Sequence, residues 1–314
     1  MEKSSTPRLV HGLDPDDTSR PPVARLNSGG LPIDAGQTHK VWRGQVQVDG
    51  CLEPCIPVAI KWMPGQAKLP IELACSLAAA ELSLPVPRGI VVLAMRDQLP
   101  GLPATARPLP GTTDYLCFGS LYQWPDDSIT RFLDNEAVAE YTWRKLCDLP
   151  VASQGAAWDE LAANHDRHVK NLIYTGTDRR EYMFIDHELA LEPIATAMRN
   201  WAAQRTRQSI LDHRARVNQV AAQLTKRRPN DHDMLAQPAR LSRAQRRVEL
   251  LADKVRQWST GHSQIDPIWP LVEVVLRGIA TRLPALDLMM HERLRVPSAK
   301  DLWNSSSNPK NPAG

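Results

Sequence analysis

One stretch limits what this chain can be more than any other: residues 164–191. It reads Asn164-His165-Asp166-Arg167-His168-Val169-Lys170-Asn171-Leu172-Ile173-Tyr174 and then, after a polar interval, Tyr182-Met183-Phe184-Ile185-Asp186-His187-Glu188. Leu172 to Tyr174 is a short apolar run, Gly176 to Arg180 has the composition of a turn, and Tyr182 to Ile185 is a second apolar run. Two such runs about a polar turn predict a β-hairpin. A hairpin of this length returns Asp186 beside Asn171 and leaves Asp166 at the mouth of the same loop.

Phosphoryl transfer from a nucleotide needs that grouping. One carboxylate positions or deprotonates the attacking hydroxyl, while an amide and a second carboxylate hold the metal that bridges the phosphates. Asp166 fits the first role, and Asn171 with Asp186 the second. An isolated Asp-x4-Asn means little; the strand, turn, strand and second Asp make the pattern specific.

Asn164 to Asn171, written Asn-x-Asp-Arg-His-x-Lys-Asn, together with Ile185-Asp186, resembles the catalytic and metal-binding loops of HipA-like kinases. Asp-Arg-His-x-x-Asn followed by Ile-Asp is also similar to the loops of phosphoinositide 3- and 4-kinases. The resemblance covers residues 36–191 and is nearest to the shorter HipA-like proteins. It implies an α+β, two-lobed, protein-kinase-like fold with a small β-rich N-lobe and a larger, mostly helical C-lobe. It also implies ATP and Mg2+ as cofactors. Where ordinary protein kinases carry Asp-Phe-Gly, this chain has Asp186-His187-Glu188, so no Phe-driven switch is expected. Three further loop residues have two readings each. Lys170 reaches a γ-phosphate as a point charge or points to water. Arg167 steadies the loop or meets a phosphorylated segment. His187 supports the Asp186 carboxylate or packs against a helix.

Upstream, Val41 to Val48 and Pro57 to Trp62 predict two strands about Asp49-Gly50, the second carrying Lys61 after Val-Ala-Ile. That placement matches the phosphate-binding lysine of a kinase N-lobe; the plain alternative is a solvent-facing strand lysine. Gly36 to Lys40 is the segment set to cover phosphates, with Thr38 and His39 as cofactor-binding candidates. Ile71 to Leu82, opened by Pro70, predicts a helix. Its Glu72 is either the partner that positions Lys61 or a charge complementing the helix dipole. Tyr115 to Tyr122, with Phe118 as a cofactor-binding candidate, is expected to be the hinge that meets adenine.

Composition bounds the rest. The 314 residues carry a net charge of +3, which argues neither for nor against an anionic partner. No apolar run reaches the roughly 18–20 residues that a membrane helix needs, so no transmembrane segment is expected. The N-terminus lacks a signal-like apolar core. Five scattered cysteines suit reduced thiols and a cytoplasmic protein. Residues 196–260 hold 14 Lys and Arg against 5 Asp and Glu. Without interleaved aromatics that excess reads as solvated helix faces and argues against nucleic acid.

The expected division is a flexible lead-in over residues 1–35, an N-lobe and hinge over 36–123, a helical C-lobe over 124–303, and a disordered tail over 304–314. Helical stretches are expected at 194–226, 240–258 and 267–283. The expected activity is ATP- and Mg-dependent transfer of the γ-phosphate to Ser or Thr of a protein acceptor. Asp166 and Lys170 are the catalytic candidates, Lys61 and Glu72 serve the nucleotide, and Asn171 and Asp186 hold metal. A regulatory partner or antitoxin follows from the resemblance alone. The alternatives are a small-molecule or phosphoinositide kinase and a catalytically silent nucleotide-binding module.

Overall fold

In a computed structural model, the described residues are 19–33, 40–48, 55–63, 68–122, 134–175, 182–191, 210–212, 214–229 and 232–294. The fold is mixed, with a β-rich N-terminal part and a helical C-terminal part. Six strands make the first: β1 (Val23–Leu26), β2 (Leu31–Ile33), β3 (Val41–Val48), β4 (Ile56–Trp62), β5 (Gly89–Met95) and β6 (Asp114–Leu121). They lie in the order β1-β5-β6-β4-β3-β2, and β1 also pairs with β3, so the sheet closes on itself. The β1–β5 pairing is parallel (Val23 opposite Val91); the other pairings are antiparallel.

β1 and β2 lie one after the other along the same edge of β3, with Leu26 opposite Val46 and Leu31 opposite Arg43. Residues 27–30 bridge the gap. A Cβ on Gly30 would sit 2.8 Å from Cβ of Trp42, so the close approach there requires glycine. Alternate residues fill the closed interior: Trp42 and Val46, Val58 and Ile60, Ile90 and Val92, and Cys117. The Trp42 indole N–H donates to the Pro100 carbonyl at 3.1 Å, which satisfies the one polar atom of that side chain. Val91 and Leu93, on the other face of β5, join the core beneath the helices. Because β5 is buried on both faces, its sequence is a continuous apolar run rather than an alternation.

Helix α1 (Lys68–Glu81) is buried from Leu69 through Ala80. Apart from Glu72 and Ser76 its buried residues are apolar on every side, as suits a helix enclosed between layers. One side meets β5 and β6, and another meets α6 (Gln245–Val255) and α7 (Trp269–Arg282). The remaining helices are α2 (Glu136–Cys147), α3 (Val151–Leu161), α4 (Gln219–Arg227), α5 (His232–Ser242) and α8 (Leu286–Leu294). α3 is their hub, touching α2, α4, α5 and α8. Its Gly155 leaves the notch that seats the Phe184 ring; a Cβ there would overlap the ring. Phe184 belongs to the second sheet, the hairpin of β7 (Leu172–Tyr174) and β8 (Tyr182–Phe184).

Two consecutive acids on α3, Asp159 and Glu160, are fully buried. Burial of a carboxylate is tolerable only with paired charge and hydrogen bonds. Glu160 accepts from Arg214 Nε and Arg293 Nε, both at 2.8 Å. Arg282 donates to the backbone carbonyls of Glu160 and Leu161 at the end of the same helix. No helix among the described residues is long and apolar enough to cross a membrane.

Three expectations need correction. Residues 23–33, placed in the lead-in, supply β1 and β2. A four-residue alternation between Pro21-Pro22 and Gly29-Gly30 is too short to register as a period, and its pairing partners lie far along the chain. Tyr115 to Tyr122 is not a hinge but the strand β6 and its end. Its ladder to both β4 and β5 commits the backbone groups that were to meet adenine. The stretch 194–226 is not one helix. Residues 214–218 are irregular, and α4 begins after its N-cap Asn218, whose side chain accepts from Ala221 N. Thr38, His39, the remainder of that segment through residue 39, and the tail 304–314 lie outside the described residues.

Candidate active site

The loop begins where α3 ends. Ala163 takes a left-handed conformation, φ +48°, with Ala163 N–H donating to Glu160 O at 3.2 Å and Asn164 N–H to Asp159 O at 2.9 Å. These two bonds are the Schellman pattern, which turns the chain sharply off the helix. Asn164 then donates through Nδ2 to Asp159 Oδ1 at 3.2 Å and accepts from the Asp166 N–H at 3.2 Å. The backbone of Asp166 is thereby fixed to the end of α3.

Arg167 ties the loop together from within. It is buried and forks onto Asp159, Nε to Oδ2 at 3.1 Å and Nη2 to Oδ1 at 3.0 Å. Its Nη1 donates to Asn171 O at 2.9 Å and Ile185 O at 2.6 Å, and the guanidinium lies over the Phe184 ring. One side chain therefore clamps α3 and both strands of the hairpin. Such planar, multidentate bonding is what guanidinium supplies and an ammonium does not.

The hairpin register sets the remaining geometry. Leu172 pairs with Phe184, and Ile185 N–H donates to Asn171 O at 3.1 Å, one step further along the ladder. Asp186 follows immediately, in a left-handed conformation at φ +61°. Asn171 is buried, and its Nδ2 donates to the Asp166 carbonyl at 2.9 Å. That bond fixes the amide and makes Oδ1 its atom for a cation. Burial lowers the His168 imidazole, while the Asp166 and Asp186 carboxylates work against it.

Lys61 crosses from β4 to the hairpin. Its Nζ lies 2.8 Å from Asp186 Oδ1 and 2.8 Å from Glu188 Oε2, and Lys68 Nζ meets Glu188 Oε1 at 3.0 Å. Burial works to lower the Lys61 ammonium, but Asp186, Glu72 and Glu188 outweigh it and raise it to about 12. Glu72 does not form the ion pair expected with Lys61. It accepts instead from the His187 backbone N–H at 2.9 Å, and its second oxygen lies 3.7 Å from His187 Nδ1. Burial, with Asp186 nearby, pushes the Glu72 carboxyl up to about 8. His187 Nε2 accepts from Trp158 Nε1 at 2.9 Å and meets Arg167 Nη2 at 3.1 Å. Two donors on Nε2 place the ring proton on Nδ1, toward Glu72. Burial, aided by Arg167, holds this imidazole down to about 3.

The structure thus brings Asp166, Asn171, Asp186 and Lys61 to one place, with Glu72 behind them. One candidate lies elsewhere. Lys170 pairs with the exposed Asp134, the geometry of a surface ion pair. Phe118 is mid-strand directly opposite Lys61, on the same face of the sheet, and packs against the core beneath α1. Sequence reading missed Asp159 and Glu188. An acidic pair inside an Ala/Trp/Leu helix was the available signal for the first. Nothing local marks the second.

No family model matches the chain. No curated protein matches it either. Among solved structures the chain is similar to the crystal structure of a Helicobacter pylori proinflammatory kinase, CtkA. The identity is 11%, the match covers 86% of this chain and 96% of that one, and the TM-score is 0.44. A likeness of that size carries no functional weight, and the reading rests on the residues themselves.

The donor set answers whether a nucleotide-bound metal fits. Asn171 Oδ1 and the Asp186 carboxylate are hard oxygen donors at the open end of the hairpin, suited to Mg2+ rather than to a softer ion. Asp186 already faces a cation, the Lys61 ammonium. The residues fit the group.

Proposed function

We propose that this chain is an ATP- and Mg-dependent phosphotransferase with a protein-kinase-like arrangement of its two parts. The observation that carries the reading is the convergence of Lys61, from the barrel, with Asp186 and the anchored Asn171 of the hairpin. The resemblance of the 164–171 and 185–186 motifs to HipA-like kinases supports it. Asn171 and Asp186 would hold Mg2+, and Lys61 would bind phosphate oxygens. Bound Mg2+ supplies charge neutralisation along the phosphates. Asp166, its backbone fixed by Asn164 and Asn171, would orient the acceptor hydroxyl and take its proton. Ser or Thr of a protein is the acceptor we propose; a small molecule is the alternative within the same chemistry.

The test is incubation of the protein with γ-labelled ATP and Mg2+, following label on protein and loss of ATP. Asp166→Ala is expected to cost roughly 10²- to 10⁴-fold, the usual contribution of a positioned base. Asp186→Ala is expected to abolish turnover. Absence of nucleotide binding in the unaltered chain would overturn the proposal. Binding that needs Asp186, without turnover of any acceptor, would favour the silent module.

A further inference from the structure

Kinase-like chemistry requires the phosphate-binding lysine to be held by an acid, and α1 offers Glu72 for that task. The geometry gives the task to a different residue. We infer that Glu188 is the residue that positions Lys61, bridging it to Lys68, while Glu72 holds the backbone of the metal loop. The inference rests on the phosphotransfer reading for its purpose, but its geometry stands without it.

Three observations carry it. Glu188 is buried, and its two oxygens face two ammonium groups, Lys61 at 2.8 Å and Lys68 at 3.0 Å. Those lysines come from β4 and from the first residue of α1, so one carboxylate draws together the two elements that border the site from above. Glu72, one turn into α1, reaches the His187 N–H, which lies between the two acids Asp186 and Glu188 in the chain. Each acid thus has a distinct partner, a side-chain cation for Glu188 and a backbone amide for Glu72.

Chemical sense follows from the charges. Before nucleotide arrives, Lys61 faces two carboxylates, Asp186 and Glu188. With Asp186 engaged by a metal, Glu188 would still hold the Lys61 ammonium for phosphate oxygens. Lys68, held by the other oxygen of the same carboxylate, would offer a second cation beside it. Glu188→Gln keeps the shape and removes the charge, so both lysines lose their hold together.

The experiment needs no nucleotide for its first arm. The full-length protein, Glu188→Gln and Glu72→Gln are treated at pH 7 with an amine-acylating reagent, and the modification of Lys61 and Lys68 is read peptide by peptide by mass spectrometry. Loss of the shared carboxylate releases both ammonium groups from its oxygens and lets the reagent reach them, so Glu188→Gln is expected to speed acylation of both lysines by roughly threefold or more. Glu72→Gln is expected to leave Lys68 unchanged. Unchanged rates at both lysines in Glu188→Gln, or a joint rise in Glu72→Gln alone, would overturn the inference. The second arm measures KM for ATP and kcat. Glu188→Gln is expected to raise KM about tenfold with a smaller fall in kcat, and Glu188→Asp to recover part of the loss. A lowered melting temperature with KM unchanged would show a purely structural role and overturn the inference. If the unaltered protein fails to bind ATP, the phosphotransfer reading falls while the lysine result still decides the pairing.

Discussion

The barrel and the helical part both bury an apolar core, but the helical part adds a buried ionic network to it. The barrel interior is apolar throughout: Trp42, Val46, Val58, Ile60, Ile90, Val92 and their neighbours. The centre of the helical part contains buried charge, with Asp159, Glu160, Arg167 and Arg282 all almost fully enclosed. Apolar burial is non-directional and tolerates small changes of shape. A buried ionic network is directional, and each member leaves another stranded when it is lost. The candidate site lies where the two meet, and its fixed groups come from the charged side. Among the described residues the barrel's charged contribution is Lys61, on its outer face.

The comparison breaks first at Arg167. Arg167→Met keeps the bulk but strands the Asp159 carboxylate and removes two donors from the hairpin carbonyls. The expected loss is about 3–5 kcal/mol of stability, as for other broken buried pairs. The matching barrel change, Ile60→Val, is expected to cost only about 0.5–1.5 kcal/mol. Chemical denaturation of both variants measures the difference. Similar losses at the two positions would show that the charged centre is no more demanding than the apolar one.

The pH dependence sharpens the comparison at the seam. Burial holds His187 down to about 3 from an ordinary 6.5. The folded state therefore binds fewer protons at this ring, and its contribution is complete above pH 6.5 and lost as pH falls toward 3. Glu72 is raised by burial to about 8 from an ordinary 4.5. Its contribution runs the other way, complete below pH 4.5 and lost as pH rises through 8. Glu72→Gln removes only the second effect. The variant is expected to match the unaltered protein near pH 4.5 and to become the more stable of the two above pH 7. Denaturation midpoints from pH 4.5 to 9 test this, and a variant less stable at pH 8 would place an ionised Glu72 in the fold.

What the sequence made legible follows the same divide. The placement of Asp166, Asn171 and Asp186 side by side was readable because one loop and one hairpin set their spacing. Lys61 was readable from its strand. The partners Asp159 and Glu188 were not, because their meaning depends on elements far along the chain. Asp159 lies eight residues before Arg167 but acts only through the hairpin that Arg167 clamps. Glu188 finds Lys61 and Lys68 about 120 residues away. β1 failed for the same reason, since its four residues gain their place from β3 and β5. Chemistry that a loop defines can be read in sequence; support that the fold assembles cannot.

The smallest expected effects concern strain, and they also separate the two sides. Among the described residues, non-glycine positive φ occurs at Ser83, Ala163, Asp186 and Leu191, and none of these lies in a barrel strand. Ser83 and Ala163 end α1 and α3 with the same Schellman bonds: Ser83 N–H to Ala80 O and Leu84 N–H to Ala79 O in the first, the equivalent pair in the second. A left-handed L-residue costs roughly 1–2 kcal/mol. Glycine relieves that cost but loses about 0.4–1 kcal/mol through the greater freedom of the unfolded chain. At Ser83, which is exposed, the balance favours Gly, and Ser83→Gly is expected to gain about 0.5–1 kcal/mol. At Ala163 the methyl is buried, and its loss costs about 0.8 kcal/mol more, so Ala163→Gly is expected to be near neutral. Equal gains at both sites would mean that the Ala163 methyl contributes nothing to packing. A clear loss at Ala163 would mean that the rigidity of the turn into Asn164 matters more than its strain.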